Sequence, residues 1–219
     1  MEIEEHAGER SLSRADLRRR KLIASARRLF IDNGFHATGI AQIARESGIA
    51  VGQIYRDFAS KEDIVASIVE EDCSDLIGDG ALQRAIDQGD RDRIETWLLG
   101  FVVSDRDIEK RRLFAEIVAE SGRNSRIAAI FAALQDTLRA NLLRAIDKIA
   151  PGDGLQADRT ALADMVITFS LGLLHHQLMR PTLDFQPLER QLQAILMNQM
   201  RELRRKARAD CPASAAGPS

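Results

Sequence analysis

The sequence predicts an all-α protein, with a three-helix N-terminal domain that contains a helix-turn-helix and a larger C-terminal helical domain. Ala, Leu, Ile and Arg are plentiful and only five prolines occur among 219 residues, a composition that favours helices. Apolar residues recur at helical spacing along most of the chain, whereas strand-like alternation is nowhere sustained.

The first four helices are predicted from apolar stripes and from residues that start or stop helices. Gly34 should end the first helix, because glycine takes the left-handed cap conformation at little cost. Thr38 is expected to be the N-cap of the second helix and Ser60 that of the fourth. The predicted helices span about 14–33, 39–47, 51–58 and 61–77.

The rest of the chain predicts longer helices separated by glycine and proline loops. These helices span about 81–88, 91–104, 107–121, 124–149, 157–179 and 186–208. We therefore expect a flexible tail at 1–12, an N-terminal domain at 13–76, a C-terminal domain at 77–208 and a disordered tail at 209–219.

Positive charge is concentrated near the N-terminus. Residues 9–61 contain eleven Lys or Arg and five acidic residues, a net charge of +6, although the whole chain carries −2. This asymmetry indicates a polyanionic partner for the first quarter of the chain, such as nucleic acid. A solvated basic helix face is the alternative interpretation.

The segment from about 39 to 58 predicts a helix-turn-helix, because two short helices flank a tight turn and the second is too short and polar for a core element. The second helix of this motif enters the major groove of DNA. There, Gln53 could pair with an adenine edge and Arg56 with a guanine edge or a phosphate. Tyr55 and Lys61 suit phosphate oxygens.

The same segment resembles the N-terminal domain of the tetracycline-repressor (TetR) family over about residues 16–76. The spacing matches the family pattern without a gap at Leu29-Phe30, Gly34-Phe35, Ala37-Thr38, Ile43-Ala44, Gly48, Gly52, Ile54-Tyr55, Phe58 and Ser60-Lys61-Glu62. The resemblance implies a homodimeric, DNA-binding transcriptional regulator, most simply a repressor that a small hydrophobic ligand releases from a palindromic operator. The chain departs from the family at Ala50-Val51 and Gly39, and Val51 suits contact with a thymine methyl group.

The predicted partner of the N-terminal domain is double-stranded DNA. The residues expected to contact it are Arg18, Arg19, Thr38, Gln42, Val51, Gly52, Gln53, Tyr55, Arg56 and Lys61. For Arg18 and Arg19, a solvated basic face is again the alternative.

A largely apolar ligand pocket is expected among the helices between about 91 and 179, because the C-terminal domain holds most of the aromatic residues. The predicted pocket residues are Trp97, Phe101, Phe114, Val118, Phe131, Leu134, Phe169, His175, His176 and Met179. The alternative is that these aromatic residues are simply core and that the histidines are structural.

A dimer interface is expected on the last two long helices, as the resemblance also implies. The predicted interface residues, which follow helical spacing, are Leu162, Met165, Phe169, Leu188, Leu192, Ile195, Gln199 and Leu203. The alternative is that both stripes face the core of their own subunit.

Other classes of function have little support in the sequence. No catalytic triad or glycine-rich phosphate loop occurs at useful spacing, so an α-helical enzyme is disfavoured, and no cofactor or metal is expected. Cys73 and Cys211 resemble free thiols of a reducing cytoplasm, where we expect the protein to be. A DNA-binding regulator controlled by a partner, without a small-molecule ligand, is the remaining alternative.

Overall fold

The computed structural model describes residues 13–77, 80–103 and 108–210, which are helical throughout apart from short connections. The helices are α1 (Arg14–Asn33), α2 (Ile40–Ser47), α3 (Val51–Asp57), α4 (Lys61–Ile77), α5 (Gly80–Gln88), α6 (Arg91–Gly100), α7 (Ile108–Ser121), α8 (Ser125–Ile149), α9 (Gln156–Met179) and α10 (Gln186–Asp210). The all-α fold class predicted from the sequence is thereby confirmed.

Most helix ends lie within a few residues of the predicted positions. The predicted sixth helix runs to 104, but α6 ends at Gly100 and residues 101–103 form a turn. The predicted start at 107 and the tails at 1–12 and 211–219 lie outside the described residues. Helix α10 continues to Asp210, two residues beyond its predicted end. None of the described helices is long and apolar enough to cross a membrane.

The chain divides into two compact units between Val69 and Glu70, within α4. The core of the first unit is formed by apolar side chains of α1 to α4 and of the segments between them, with exposures of at most 5 %. These side chains are Leu22, Ile23, Ala26, Phe30, Phe35, Ile43, Ile54, Phe58, Ile64, Val65, Ile68 and Val69. Because α2 packs on both α1 and α3, this core fixes the two short helices relative to α1.

Local capping explains where the helices of the first unit begin and end. The Ser13 hydroxyl and the Asp16 carboxylate cap the start of α1 reciprocally, each accepting a backbone N–H bond of 3.1 Å. Gly48 ends α2 in the left-handed conformation, at φ 67°. Ser60 caps α4 as predicted, accepting a hydrogen bond from the Asp63 backbone N–H at 3.3 Å.

The prediction that Thr38 caps α2 is wrong. The N-cap is Gly39, which has no side chain to cap the helix, and its own backbone N–H donates to the Gln42 side-chain oxygen at 2.7 Å. Thr38 is instead buried, and its hydroxyl lies 2.9 Å from the Gly34 carbonyl oxygen and 3.1 Å from that of Leu29.

The second unit has a core to which α5, α6, α8, α9 and α10 all contribute, with side chains such as Leu98, Leu142 and Val166. Helix α7 packs on α8 and α9. The turn between α8 and α9 is held by Arg159, 5 % exposed, whose guanidinium pairs with Asp147 at 2.9 Å and donates to the Ala150 carbonyl oxygen at 3.0 Å.

Candidate functional site

One face of helix α3 is exposed, and one buried side chain attaches the helix to the core. Ile54 is completely buried and attaches the seven-residue helix to the core. Val51 and Tyr55 are 41 % and 55 % exposed, and Arg56 is exposed beside them. Gly52 faces open space, because a Cβ built there would meet nothing within 4 Å. A short helix that offers its N-terminal residues in this way has the form of a major-groove recognition helix.

An ion pair ties α3 to the start of α1. The Arg18 guanidinium donates two hydrogen bonds to the Asp57 carboxylate, at 2.9 and 3.1 Å. Hydrogen bonding from Arg18 holds the pKa of Asp57 below its ordinary value, and hydrogen bonding from Gln53 lowers it further. Two predicted DNA contacts, Arg18 and Gln53, thus converge on the carboxylate of the last residue of α3.

The Arg19 side chain also makes contacts within the first unit. Its guanidinium donates to the Ser67 hydroxyl at 2.7 Å and stands 4.3 Å from the centre of the Phe58 ring. These contacts join the first half of α1 to α4 and to Phe58, the residue that follows α3. They give Arg19 a structural role, and its contact with DNA stays a prediction.

Lys61 and Thr38 hold the loop between α1 and α2 against the start of α4. The Lys61 ammonium donates to the carbonyl oxygens of Phe35 at 2.6 Å and Thr38 at 2.9 Å, and lies 4.0 Å from the centre of the Phe35 ring. The side chains of both predicted DNA contacts are therefore occupied within the protein. Their approach to DNA also stays a prediction.

Asp57 is a residue of this site that the sequence analysis missed. An acidic residue in the last turn of a helix opposes the helix dipole, which is a local signal that a cation lies nearby. The identity of that cation had no local signal, because Arg18 lies 39 residues away in the sequence.

In the second unit, the predicted pocket residues form separate aromatic pairs. Trp97 and Phe101 meet edge to face with ring centres 4.9 Å apart, and Phe114 and Phe131 meet at 5.2 Å. The half-buried residues among the predicted set are Trp97, Phe114, Val118, Leu134, Phe169 and His176.

Two predicted pocket residues are exposed. Met179 is 73 % exposed at the end of α9. His175 is exposed, and its Nδ1 lies 3.0 Å from the Leu171 carbonyl oxygen of its own helix. The neighbouring His176 packs on Phe185 instead, with ring centres 5.1 Å apart.

The predicted dimer residues divide between core and surface. Leu162 and Leu203 are at most 5 % exposed within the subunit, whereas Leu188 and Ile195 are 38 % and 42 % exposed. A shallow groove between α9 and α10 is lined by Asp158, Ala161, Leu162, Met165, Gln199, Glu202, Leu203 and Lys206. We call the groove together with Leu188, Leu192 and Ile195 the α9–α10 face.

The architecture is that of a helix-turn-helix regulator, with a small N-terminal unit and a helical C-terminal unit. The family model for bacterial regulatory proteins of the tetR family matches residues 22–68. The model for the C-terminal domain of BetI-type transcriptional repressors matches residues 90–201, more than half of the chain. The chain therefore belongs to the tetR family of bacterial regulatory proteins, whose members bind DNA and act as dimers.

Individual relatives agree with this assignment. The transcriptional regulator UidR of Escherichia coli K12 is 29 % identical over 114 residues, which cover 51 % of this chain and 56 % of UidR. The chain thus spans little more than half the length of the curated relatives that it matches first.

Two solved structures share the fold over most of both chains. Salmonella enterica GusR superposes with a TM-score of 0.63 at 22 % identity, covering 87 % of this chain and 98 % of GusR. Bacillus subtilis FadR in complex with stearoyl-CoA superposes with a TM-score of 0.58 at 18 % identity, covering 84 % and 96 %.

Proposed function

We propose that this protein is a homodimeric transcriptional repressor that leaves a palindromic operator when a small, largely apolar ligand binds its C-terminal unit. The observation that carries the DNA-binding part is the exposed face of α3, with Val51, Gly52, Tyr55 and Arg56 turned outward above the buried Ile54. The local charge of +6 over residues 9–61 supports the same role, since phosphate contacts supply much of the affinity for DNA.

The dimeric state is supported by the α9–α10 face. Leu188 and Ile195 are about 40 % exposed on one face of α10 and adjoin a groove lined in part by apolar side chains, and a contiguous apolar face of this kind can mark an interaction site. Two such faces could pack as a four-helix interface around a twofold axis. A dimer of this kind would read two half-sites about one DNA turn apart, so the operator should be an inverted repeat.

Ligand control is supported by the second unit, which α3 does not need in order to contact DNA. Its aromatic pairs offer apolar walls, and a relative of the same fold, FadR, is known in complex with stearoyl-CoA. The ligand would act through its higher affinity for the conformation that does not bind DNA.

The DNA-binding part is tested by selecting duplexes from a random pool with the full chain and measuring their affinity by fluorescence anisotropy. We expect an inverted repeat. Arg56→Ala should cost about 1–3 kcal/mol of binding free energy and relax specificity at one base pair of each half-site. Arg91→Ala is the matched control, since it removes the same charge from an exposed position in the second unit. Equal affinity of wild type and Arg56→Ala for every duplex would refute base recognition by Arg56.

A further inference from the structure

In the described part of the chain, two buried side-chain atoms lack a hydrogen-bond partner, and both are donors in the second unit: Trp97 Nε1 and Arg111 Nε. Buried polar groups are nearly always paired, so each exception needs a reason. An unpaired donor on a guanidinium is the more costly of the two, because the group is also charged.

The surroundings of Arg111 supply one neutral partner. Its Nη1 donates to the side-chain oxygen of Gln177 on α9 at 2.8 Å, and Gln177 is 3 % exposed. Within the described residues, the guanidinium forms no ion pair with a carboxylate. Gln177 therefore orients the cation, and no described residue compensates its charge.

Arg159, in the same unit, is a buried arginine with a structural role, and its partners can be compared with those of Arg111. Arg159 has a carboxylate partner, Asp147, and donates to backbone carbonyl oxygens at the turn between α8 and α9. Arg111 has neither kind of partner among the described residues. Among the described residues, Arg111 is therefore a cation whose charge a ligand could balance.

An apolar wall extends from Arg111 along α7. Phe114 and Val118 follow at helical positions i+3 and i+7, so they share the face of Arg111. Phe114 packs on Phe131 of α8, while Leu173, one turn before Gln177 on α9, is buried. A fixed cation thus stands at one end of an aromatic and aliphatic surface formed where α7 meets α8 and α9.

We propose that Arg111 binds the carboxylate of the ligand, whose apolar body lies along Phe114, Val118 and Phe131. This inference rests on the proposed ligand control and adds the chemical class of the effector: an anionic amphiphile, not a neutral or cationic one. A carboxylate would accept hydrogen bonds from the unpaired Nε and from a second guanidinium nitrogen, the paired geometry that arginine favours.

The test compares carboxylates with alcohols of the same skeleton: octanoate with octan-1-ol, and 4-phenylbutyrate with 4-phenylbutan-1-ol. Binding to the full chain is followed by the fluorescence of Trp97, the one tryptophan in the sequence. With wild type, each carboxylate should bind about ten-fold or more tightly than its alcohol. Arg111→Gln should weaken carboxylate binding about 10- to 100-fold and leave alcohol binding within about two-fold.

Two further variants separate this role from a structural one. Arg112→Gln removes the neighbouring charge, which is exposed, and should leave the selectivity for carboxylates unchanged. Arg111→Lys keeps the charge but loses the paired donors, so it should retain part of the selectivity. Because selectivity is a ratio within one variant, a modest loss of stability cannot imitate the expected result.

Each failure has a distinct meaning. Equal binding of carboxylates and alcohols by wild type, or unchanged selectivity in Arg111→Gln, would overturn the role of Arg111 while leaving ligand control intact. If neither member of either pair binds to wild type, both this inference and the apolar ligand of the proposed function are overturned. The affinity of the same protein samples for the selected operator duplex shows whether they still bind DNA when they fail to bind the carboxylates or alcohols.

Discussion

At the scale of single residues, the first unit uses its basic side chains in two different ways. Arg18, Arg19 and Lys61 are engaged in contacts within the protein, whereas Arg56 stays exposed on the recognition helix. A count of positive charges does not distinguish these roles. The distinction matters for mutagenesis, because loss of DNA binding in the first group would arise in part from loss of the local fold.

The ion pair between Arg18 and Asp57 predicts how the thermal stability of the first unit depends on pH. The pKa of Asp57 is lowered in the folded protein, so its contribution to stability is fully present above the ordinary aspartate pKa of about 4 and is lost as the pH falls through the folded pKa. Asp57→Asn should therefore lower the Tm of the first unit at pH 7, and the difference from wild type should shrink towards pH 3.

Thermal unfolding of both proteins followed by circular dichroism across this pH range is the measurement. Asp92→Asn serves as the control, since that carboxylate is exposed at the start of α6 in the second unit. A difference in Tm between wild type and Asp57→Asn that stayed constant from pH 7 to pH 3 would contradict the assignment to an ion pair.

At the scale of helices, the ends that could be predicted well from the sequence are those fixed by local chemistry. Gly48 and Ser60 act within one turn of their own positions, so their roles are visible in the neighbouring residues. The role of Thr38 could not be predicted in this way, because tertiary packing turns its hydroxyl inward to the Gly34 carbonyl oxygen and Gly39 becomes the N-cap. The Arg18–Asp57 pair depends on a contact over 39 residues, which no local pattern encodes.

Two glycines of the helix-turn-helix should respond oppositely to alanine. Gly48 has φ 67°, so Gly48→Ala should destabilise the first unit by about 1 kcal/mol. Gly52 is helical with open space around it, so Gly52→Ala should be neutral or stabilise by up to about 1 kcal/mol, yet weaken DNA binding if α3 enters the groove closely. Urea unfolding and anisotropy on the selected duplex measure the two effects, and a loss of stability in Gly52→Ala would contradict the exposed placement.

We expect a single substitution on the α9–α10 face to dissociate the dimer. Ile195→Glu would bury an unpaired charge in each half of the proposed interface, so the dimer Kd should rise about 100-fold or more. Ala194→Glu is the matched control, because it adds the same charge at the adjacent exposed position, which helical geometry turns away from Leu188 and Ile195. Sedimentation velocity at micromolar concentration distinguishes the states, and a wild type that sediments as a monomer would refute the interface itself.

At the scale of the whole molecule, the proposed repression requires communication between two compact units that share one continuous helix. Helix α4 begins at Lys61, whose ammonium binds the loop before α2, and it crosses the boundary between the units after Val69. A ligand can shift the protein away from DNA only by as much as its affinities for the two conformations differ. A shift of α4 would change the spacing of the two recognition helices in a dimer, and their match to one turn of DNA would be lost.

This coupling predicts reciprocal effects that can be measured in one titration. A coupling free energy of about 1–3 kcal/mol would weaken operator binding about 5- to 150-fold at saturating ligand, and operator DNA would weaken ligand binding by the same factor. Trp97 fluorescence reports the ligand and the anisotropy of a labelled duplex reports the operator.

The substitution Glu70→Pro would interrupt α4 at the boundary between the units, so it should reduce the coupling while Arg56-dependent DNA binding and carboxylate selectivity persist separately. Glu70→Ala keeps the helix and should preserve the full coupling. Saturation of the ligand site in wild type with no change in operator affinity would show that the ligand does not control DNA binding, and the regulator would then belong to the class that a partner controls.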